Sequence, residues 1–200
     1  MPGNSRAPGA TRVLGIDPGS RKAGWGVIDV DIASRKVRHV DNGVIFLDED
    51  APLTGRLVAL SKALHEVLES FRPDVAAVED VFVQKGARSA LILGQARGAA
   101  LATLGLCSVS VVSHTTSQVK ARVTGRGRAT KHQVAEMVCL ALGLKEHPFE
   151  DAADALAVAL CHALDHTSGV ALPPPPVRRR GGTRSRREGL VALARSQGKI

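Results

Sequence analysis

Between Val13 and Leu47 the apolar residues fall in short runs and alternations, whereas from Leu53 onward they recur largely at three- and four-residue spacing. The first pattern predicts strands and the second helices. Val13, Leu14, Gly15 and Ile16 form a run that stops at a carboxylate, Asp17, and Pro18-Gly19 follows as a turn signal. Gly24–Val30 and Lys36–Leu47 are further strands, separated by a turn around Asp31 to Ser34. The expected unit is an antiparallel meander whose third strand is interrupted near Asn42-Gly43.

Leu57, Leu60, Leu64, Val67 and Leu68 give Leu53–Ser70 an apolar helical face, and that helix ends before Pro73. Val75–Val78 is a short strand of the buried type, and it too runs into carboxylates, Glu79 and Asp80. Ala87–Leu106 reads as a second helix, with Gly94 and Gly98 on one face where another backbone could approach closely. Val109–Val112 is a fifth strand. Thr115–Val123, Lys131–Leu142 and Asp151–Ala163 are helices, the first two joined by a flexible basic loop, GRGRAT. Three antiparallel strands followed by alternating helix and strand imply an α/β fold: a mixed five-stranded sheet, three strands antiparallel and two parallel, flanked by helices.

At 200 residues and 44% hydrophobic content the chain suits one well-buried domain. Residues 1–11, rich in Pro, Gly and Ala, read as a disordered leader, 12–166 as the folded domain and 167–200 as a disordered tail, in which Pro173–Pro176 is a stiff spacer before a basic run. Cys107, Cys139 and Cys161 show neither metal-ligand nor redox-motif spacing, and fit small core residues in a reducing cytoplasm. The longest apolar stretch, Ala99–Val112, is broken by Gly105 and Ser108 and is shorter than the roughly 20 residues of a membrane span. A cytoplasmic protein with no membrane association is expected.

The net charge of +8 is unevenly spread: residues 177–200 hold eight basic residues and one acid, leaving 19 basic against 18 acidic residues for the rest. Within the domain, Val81 to Ala135 contains no Asp or Glu and eight basic residues: Lys85, Arg88, Arg97, Lys120, Arg122, Arg126, Arg128 and Lys131. Such a run is often only a solvated face, but it also suits the phosphates of a nucleic acid.

The acids decide between these. Asp17 and Glu79 each end a buried strand, so if those strands are parallel neighbours their carboxylates meet at one sheet edge. Asp151 and Asp154, three apart in the first turn of the last helix, project on one side. Taken singly, Asp17 could bond its own turn, and Asp151 and Asp154 could cap a helix. Taken together, four converging acids repel strongly unless divalent cations neutralise them. Oxygen-only ligands suit Mg²⁺ or Mn²⁺. Two such ions would activate a water and stabilise the leaving oxygen of a phosphodiester.

Four segments carry a resemblance: DPGSRKAGWGVI, AVEDVFVQKGARSALILGQARGAA, SQVKARVTGRGRATKHQVAEMV and DAADALAVAL. In order and spacing the chain resembles the RuvC family of Holliday junction resolvases from about Arg12 to His166. The resemblance implies an RNase H-like fold and a homodimer. It also implies an endonuclease that uses Mg²⁺, two ions per subunit, to nick a four-way DNA junction symmetrically, in recombination and repair. A RuvA–RuvB branch-migration complex is the implied partner. By position Asp17, Glu79, Asp151 and Asp154 would be the catalytic, metal-binding acids. Phe82 would stack on a base near the crossover, and Lys120 and Lys131 would contact DNA near the scissile phosphate. Lys85, Arg126 and Arg128 join them as DNA-binding candidates. Asp80 stands where some members have Gln and adds a fifth acid beside Glu79.

His147, just before the last helix, is a candidate proton carrier or outer ligand, while His162 and His166 read as structural at a helix C-terminus. Three functions compete, the first of them another RNase H-like nuclease and the other two from different classes. A related nuclease acting on RNA is disfavoured by Phe82, Lys120 and Lys131. An ATP-binding protein of the actin and sugar-kinase type is suggested by GIDPGS, but the chain has no room for that fold's second lobe. A noncatalytic junction-binding module would require the acids to be incidental.

Overall fold

The computed structural model describes residue 6, residues 9–80 and residues 86–166. Three antiparallel strands come first, β1 (Thr11–Asp17), β2 (Lys22–Asp31) and β3 (Lys36–Phe46). There follow α1 (Leu53–Phe71), β4 (Val75–Asp80), α2 (Ala87–Leu106), β5 (Ser110–Thr115), α3 (Thr116–Thr124), α4 (Lys131–Leu142) and α5 (Glu150–His166). The five strands form one sheet in the order β3-β2-β1-β4-β5, with β4 parallel to both β1 and β5. This is the expected mixed sheet.

Alternation along β1 sorts its residues between two cores. Leu14 and Ile16 join Leu64, Leu68, Ala100 and Leu104 of α1 and α2 on one face, while Val13 packs with Val134, Leu156 and Leu160 of α4 and α5 on the other. The second face is flattened by three glycines. A Cβ on Gly15 would lie 2.0 Å from the Ala155 carbonyl oxygen, one on Gly24 1.9 Å from that of Asp151, and one on Gly26 2.6 Å from the Leu156 side chain. Residues 152, 153, 155, 157, 159 and 163 of α5 are alanines, all buried, so small residues on both sides let the helix axis press onto the sheet.

Several expected boundaries move. β3 runs unbroken through Asn42-Gly43; the register shifts earlier, where Val27 pairs with Asp41 and Ile28 with His39, so Val40 is the extra residue. Gly43 answers to a different need, because a Cβ there would sit 2.8 Å from the Trp25 ring. β5 begins one residue later than expected, extends to Thr115 and is an edge strand with Val111 exposed. The supposed leader is anchored: Thr11 opens β1, Ala10 is buried, and the Arg6 guanidinium pairs with Asp74. The remaining residues of 1–8 and the tail from 167 lie outside the described residues. The GRGRAT loop is tied down, with Ala129 buried and its N–H donated to the Arg126 carbonyl at 3.1 Å.

Two capping boxes start helices where the sequence places them. Thr115 and Gln118 exchange side-chain and backbone bonds at α3, and Thr130 and Gln133 do the same at α4. The second box makes Lys131 the first residue of α4. By length and composition α2, at 20 residues and mean hydropathy 1.2, could cross a membrane. Here Ala96, Ala100, Thr103 and Leu104 bury one side of it against the domain, while Leu91 and Leu106 stand exposed.

Candidate active site

The alternation that sorts the core also aims the acids. Asp17 lies two residues beyond Gly15, and Glu79 two beyond Ala77, so both project from the sheet face that α5 covers. Ile16 pairs with Val78, which brings the next residue of each parallel strand side by side at the sheet's edge. Asp80 turns the other way, and Arg97 of α2 holds it at 3.3 Å. A fifth acid therefore does not crowd the four.

From α5, Asp154 reaches the same edge. Burial first, then the negative charges of Glu79 and Asp154 and a hydrogen bond to Glu79, push the Asp17 carboxyl up to about 8, with Lys131 pulling the other way. Burial also raises Asp154, again opposed by Lys131. Asp17, Glu79 and Asp154 thus form one electrostatically coupled group. Asp151 lies a turn earlier with its main chain pressed on Gly24, and it is not among the main charges acting on Asp17 or Asp154. Because α5 begins at Glu150, Asp154 belongs to its second turn rather than its first.

Lys131 joins this group directly. Its Nζ donates to Asp154 Oδ2 at 2.9 Å and to Glu150 Oε1 at 3.0 Å. Burial would lower the ammonium, but these two bonds outweigh it and hold Lys131 fully protonated. A cation at a helix N-terminus opposes the helix dipole, so its position is explained by the acids and not by α4.

Three supporting residues were not legible as such in the sequence. Glu150 shares Lys131 with Asp154. Thr116 Oγ1 donates to Glu79 Oε1 at 2.6 Å, and Arg97 reaches the Glu79 carbonyl at 3.3 Å and Ser113 Oγ at 2.8 Å. The cue for Thr116 was its place at the start of α3 beside a capping Thr; no local pattern marked the other two.

Lys120 is half-buried on α3, and Arg126 and Arg128 are exposed in the α3–α4 loop. Phe82 and Lys85 lie outside the described residues. His147 packs against Cys139, Nδ1 to Sγ 3.4 Å, on the far end of α4 from Lys131. Of the cysteines only Cys161 is a core residue; Cys107 and Cys139 are partly exposed.

The donor set at this edge is wholly carboxylate oxygen, with more negative charge than Lys131 offsets. It fits a hard divalent cation.

The family model described as "Crossover junction endodeoxyribonuclease RuvC" matches residues 13–162. Similar proteins include the RuvC of Citrifermentans bemidjiense, 48% identical over 158 residues, which covers 79% of this chain and 94% of that protein. The RuvC of Neisseria meningitidis serogroup B is 50% identical over 155 residues, 78% of this chain and 86% of that protein. Among solved structures, Thermus thermophilus RuvC in complex with Holliday junction substrate superposes with a TM-score of 0.74 at 38% identity, covering 82% of this chain and 99% of that one. The yeast mitochondrial resolvase Ydc2, at 18% identity and a TM-score of 0.56, shares the fold. The architecture is RNase H-like.

Proposed function

The chain belongs to the RuvC family, metal-dependent endonucleases that resolve Holliday junctions, and from that premise we propose which of its residues do the work. Asp17, Glu79, Asp151 and Asp154 hold the divalent metal, Mg²⁺ with Mn²⁺ as a substitute, two ions per subunit. The observation that carries this reading is the excess of carboxylate at one sheet edge, where Asp17 is pushed up to about 8. A structural cluster would have been neutralised by partners from the chain itself. When bound, the ions supply an activated water and charge stabilisation at the leaving oxygen of the phosphodiester.

The chain's own residues position the rest. Lys131 fixes the Asp154 carboxylate and places a positive charge beside the phosphate to be cut, while Thr116 orients Glu79. Lys120, Arg126 and Arg128 grip the phosphates on either side of the site, with Lys85 as a further contact, and Phe82 stacks on a base at the crossover. Salt-sensitive affinity follows from this set of contacts.

Symmetric cutting needs two sites, and the exposed side of α2 supports a homodimer. Leu91 is 64% and Leu106 88% exposed. Among the described residues a Cβ on Gly94 or Gly98 would meet nothing within 4 Å, so no described part of this chain uses the close approach these glycines permit. Another copy of α2 fits that face. The reading places the protein with DNA in the cytoplasm, alongside a RuvA–RuvB branch-migration complex.

The test is cleavage of a synthetic mobile four-way junction with mapped nicks, compared with duplex DNA and RNA. Paired symmetric nicks that need Mg²⁺ and vanish in Asp17→Asn, with junction binding retained, are expected. Undiminished cutting by that variant would sink the assignment of the acids.

A further inference from the structure

Eleven residues beyond Asp154, the C-terminal half of α5 meets the edge strand in a second polar cluster of different chemistry. His114 follows Ser113 on β5 and pairs in register with Glu79, so it too faces α5. It is 4% exposed, and Cys161 is 0% exposed. Cys161 and Asp165 lie one helical turn apart, so their side chains share the face that meets His114. Cys161 Sγ is 3.7 Å from His114 Nδ1, His114 Nδ1 is 3.6 Å from Asp165 Oδ2, and Cys161 Sγ is 4.0 Å from Asp165 Oδ2.

These spacings are close to those of ligands around one tetrahedral ion. Bonds of about 2.3 Å to sulfur and about 2.0 Å to nitrogen and oxygen put the ligand atoms roughly 3.3–3.6 Å apart. The three atoms need to close by only a few tenths of an ångström. Their neighbours are arranged as such ligands require. His114 Nε2 lies 3.3 Å from His162 Nδ1, and in the tautomer in which His114 Nε2–H donates to His162 Nδ1 the lone pair is on His114 Nδ1, on the side of Cys161 and Asp165. Arg122 Nε is 2.5 Å from Asp165 Oδ1, which leaves Oδ2 for the cluster.

We propose that His114 Nδ1, the Cys161 thiolate and Asp165 Oδ2 bind one Zn²⁺ ion or a similar borderline divalent ion. Imidazole and thiolate favour such ions over Mg²⁺, so the site is distinct in chemistry from the carboxylate edge. Water completes the tetrahedron, entering beside Asp165, whose side chain is 22% exposed. The ion would clamp β5, which carries His114 next to Glu79, to the helix that carries Asp154. It goes beyond the junction-cutting reading and does not depend on it.

Co²⁺ serves as the probe, because a thiolate–Co²⁺ bond gives a near-ultraviolet charge-transfer band that carboxylates do not. The metal-stripped full-length chain is titrated with Co²⁺ in excess Mg²⁺. The expected result is one such band per chain, saturating at one equivalent, displaced by Zn²⁺ and accompanied by a rise in melting temperature. Cys161→Ala should lose the band, and Asp165→Asn should weaken Co²⁺ binding at least tenfold. The double variant Cys107→Ser, Cys139→Ser, which alters only partly exposed thiols, should keep the band. Absence of the band in the unaltered chain, or its loss in the double variant, would overturn the proposal.

Discussion

β1 meets a charge cluster at each end. At its start, Arg12 and Asp29 are each 3% exposed and joined by bonds of 2.7 and 2.9 Å; Arg38 adds a third at 2.8 Å, and Arg12 also reaches the Phe71 carbonyl at 3.0 Å. Burial would raise Asp29, but its two guanidinium partners hold it below the usual carboxylate range. At the far end, Asp17 faces Glu79 and Asp154 with Lys131 as the cation, and its carboxyl is pushed the opposite way, to about 8. Similar chemistry, on one strand, has thus been completed at one end and left open at the other. The completed end ties β1, β2, β3 and α1 together; the open end is fitted to take a cation.

The largest expected effect tests the open end. Asp17→Asn should lower Mg²⁺-dependent nicking of a four-way junction by about a thousandfold, roughly 4 kcal/mol of transition-state stabilisation, while junction affinity and the metal-free fold persist. If that variant instead unfolds as an Asp29 variant does, the contrast between the two ends fails. Asp29→Ala should cost about 3–5 kcal/mol in denaturant unfolding, because it strands Arg12 in the core. Its nicking rate per folded molecule should be unchanged.

Lys131→Gln sharpens the comparison at the cation that pairs with Asp154. Nicking should fall about tenfold, close to 1.4 kcal/mol, since Asp154 loses its orienting bond; an unaltered rate would make Lys131 a structural partner only. The smallest effect is in pH dependence. Asp17 has a raised folded value, so it favours the fold below about pH 4 and that contribution is lost as pH rises toward 8. Asp29 has a lowered value, so its contribution is present above about pH 4 and is lost in acid. Metal-free stability should therefore decline between pH 5 and 8. Asp17→Asn, or added Mg²⁺, should flatten the decline; a slope that neither alters would place its origin elsewhere.

Much of this was readable residue by residue. The run ending at Asp17, the second run ending at Glu79 and the helical spacing of Leu57, Leu60, Leu64, Val67 and Leu68 are local signals, and the elements they predict are present. Other pairings had no local mark. Lys131 is marked in the sequence as a DNA contact, but its pairing with Asp154 and Glu150 is visible only in the fold. Cys161 reads as a core thiol because spacing rules look along the chain, whereas His114 arrives from 47 residues away. Arg6 reads as part of a leader until Asp74 is found beside it.

By itself, then, the sequence determined the elements, their family and the strand ends that carry Asp17 and Glu79, because backbone propensity and two-residue alternation act over a few neighbouring positions. Which charges end paired and which stay open was decided only in the tertiary structure. That outcome depends on the parallel register of β1 and β4 and on α5 settling into the trough over Gly15, Gly24 and Gly26. Coulomb energy and desolvation follow distances across the fold, and no spacing along the chain encodes them.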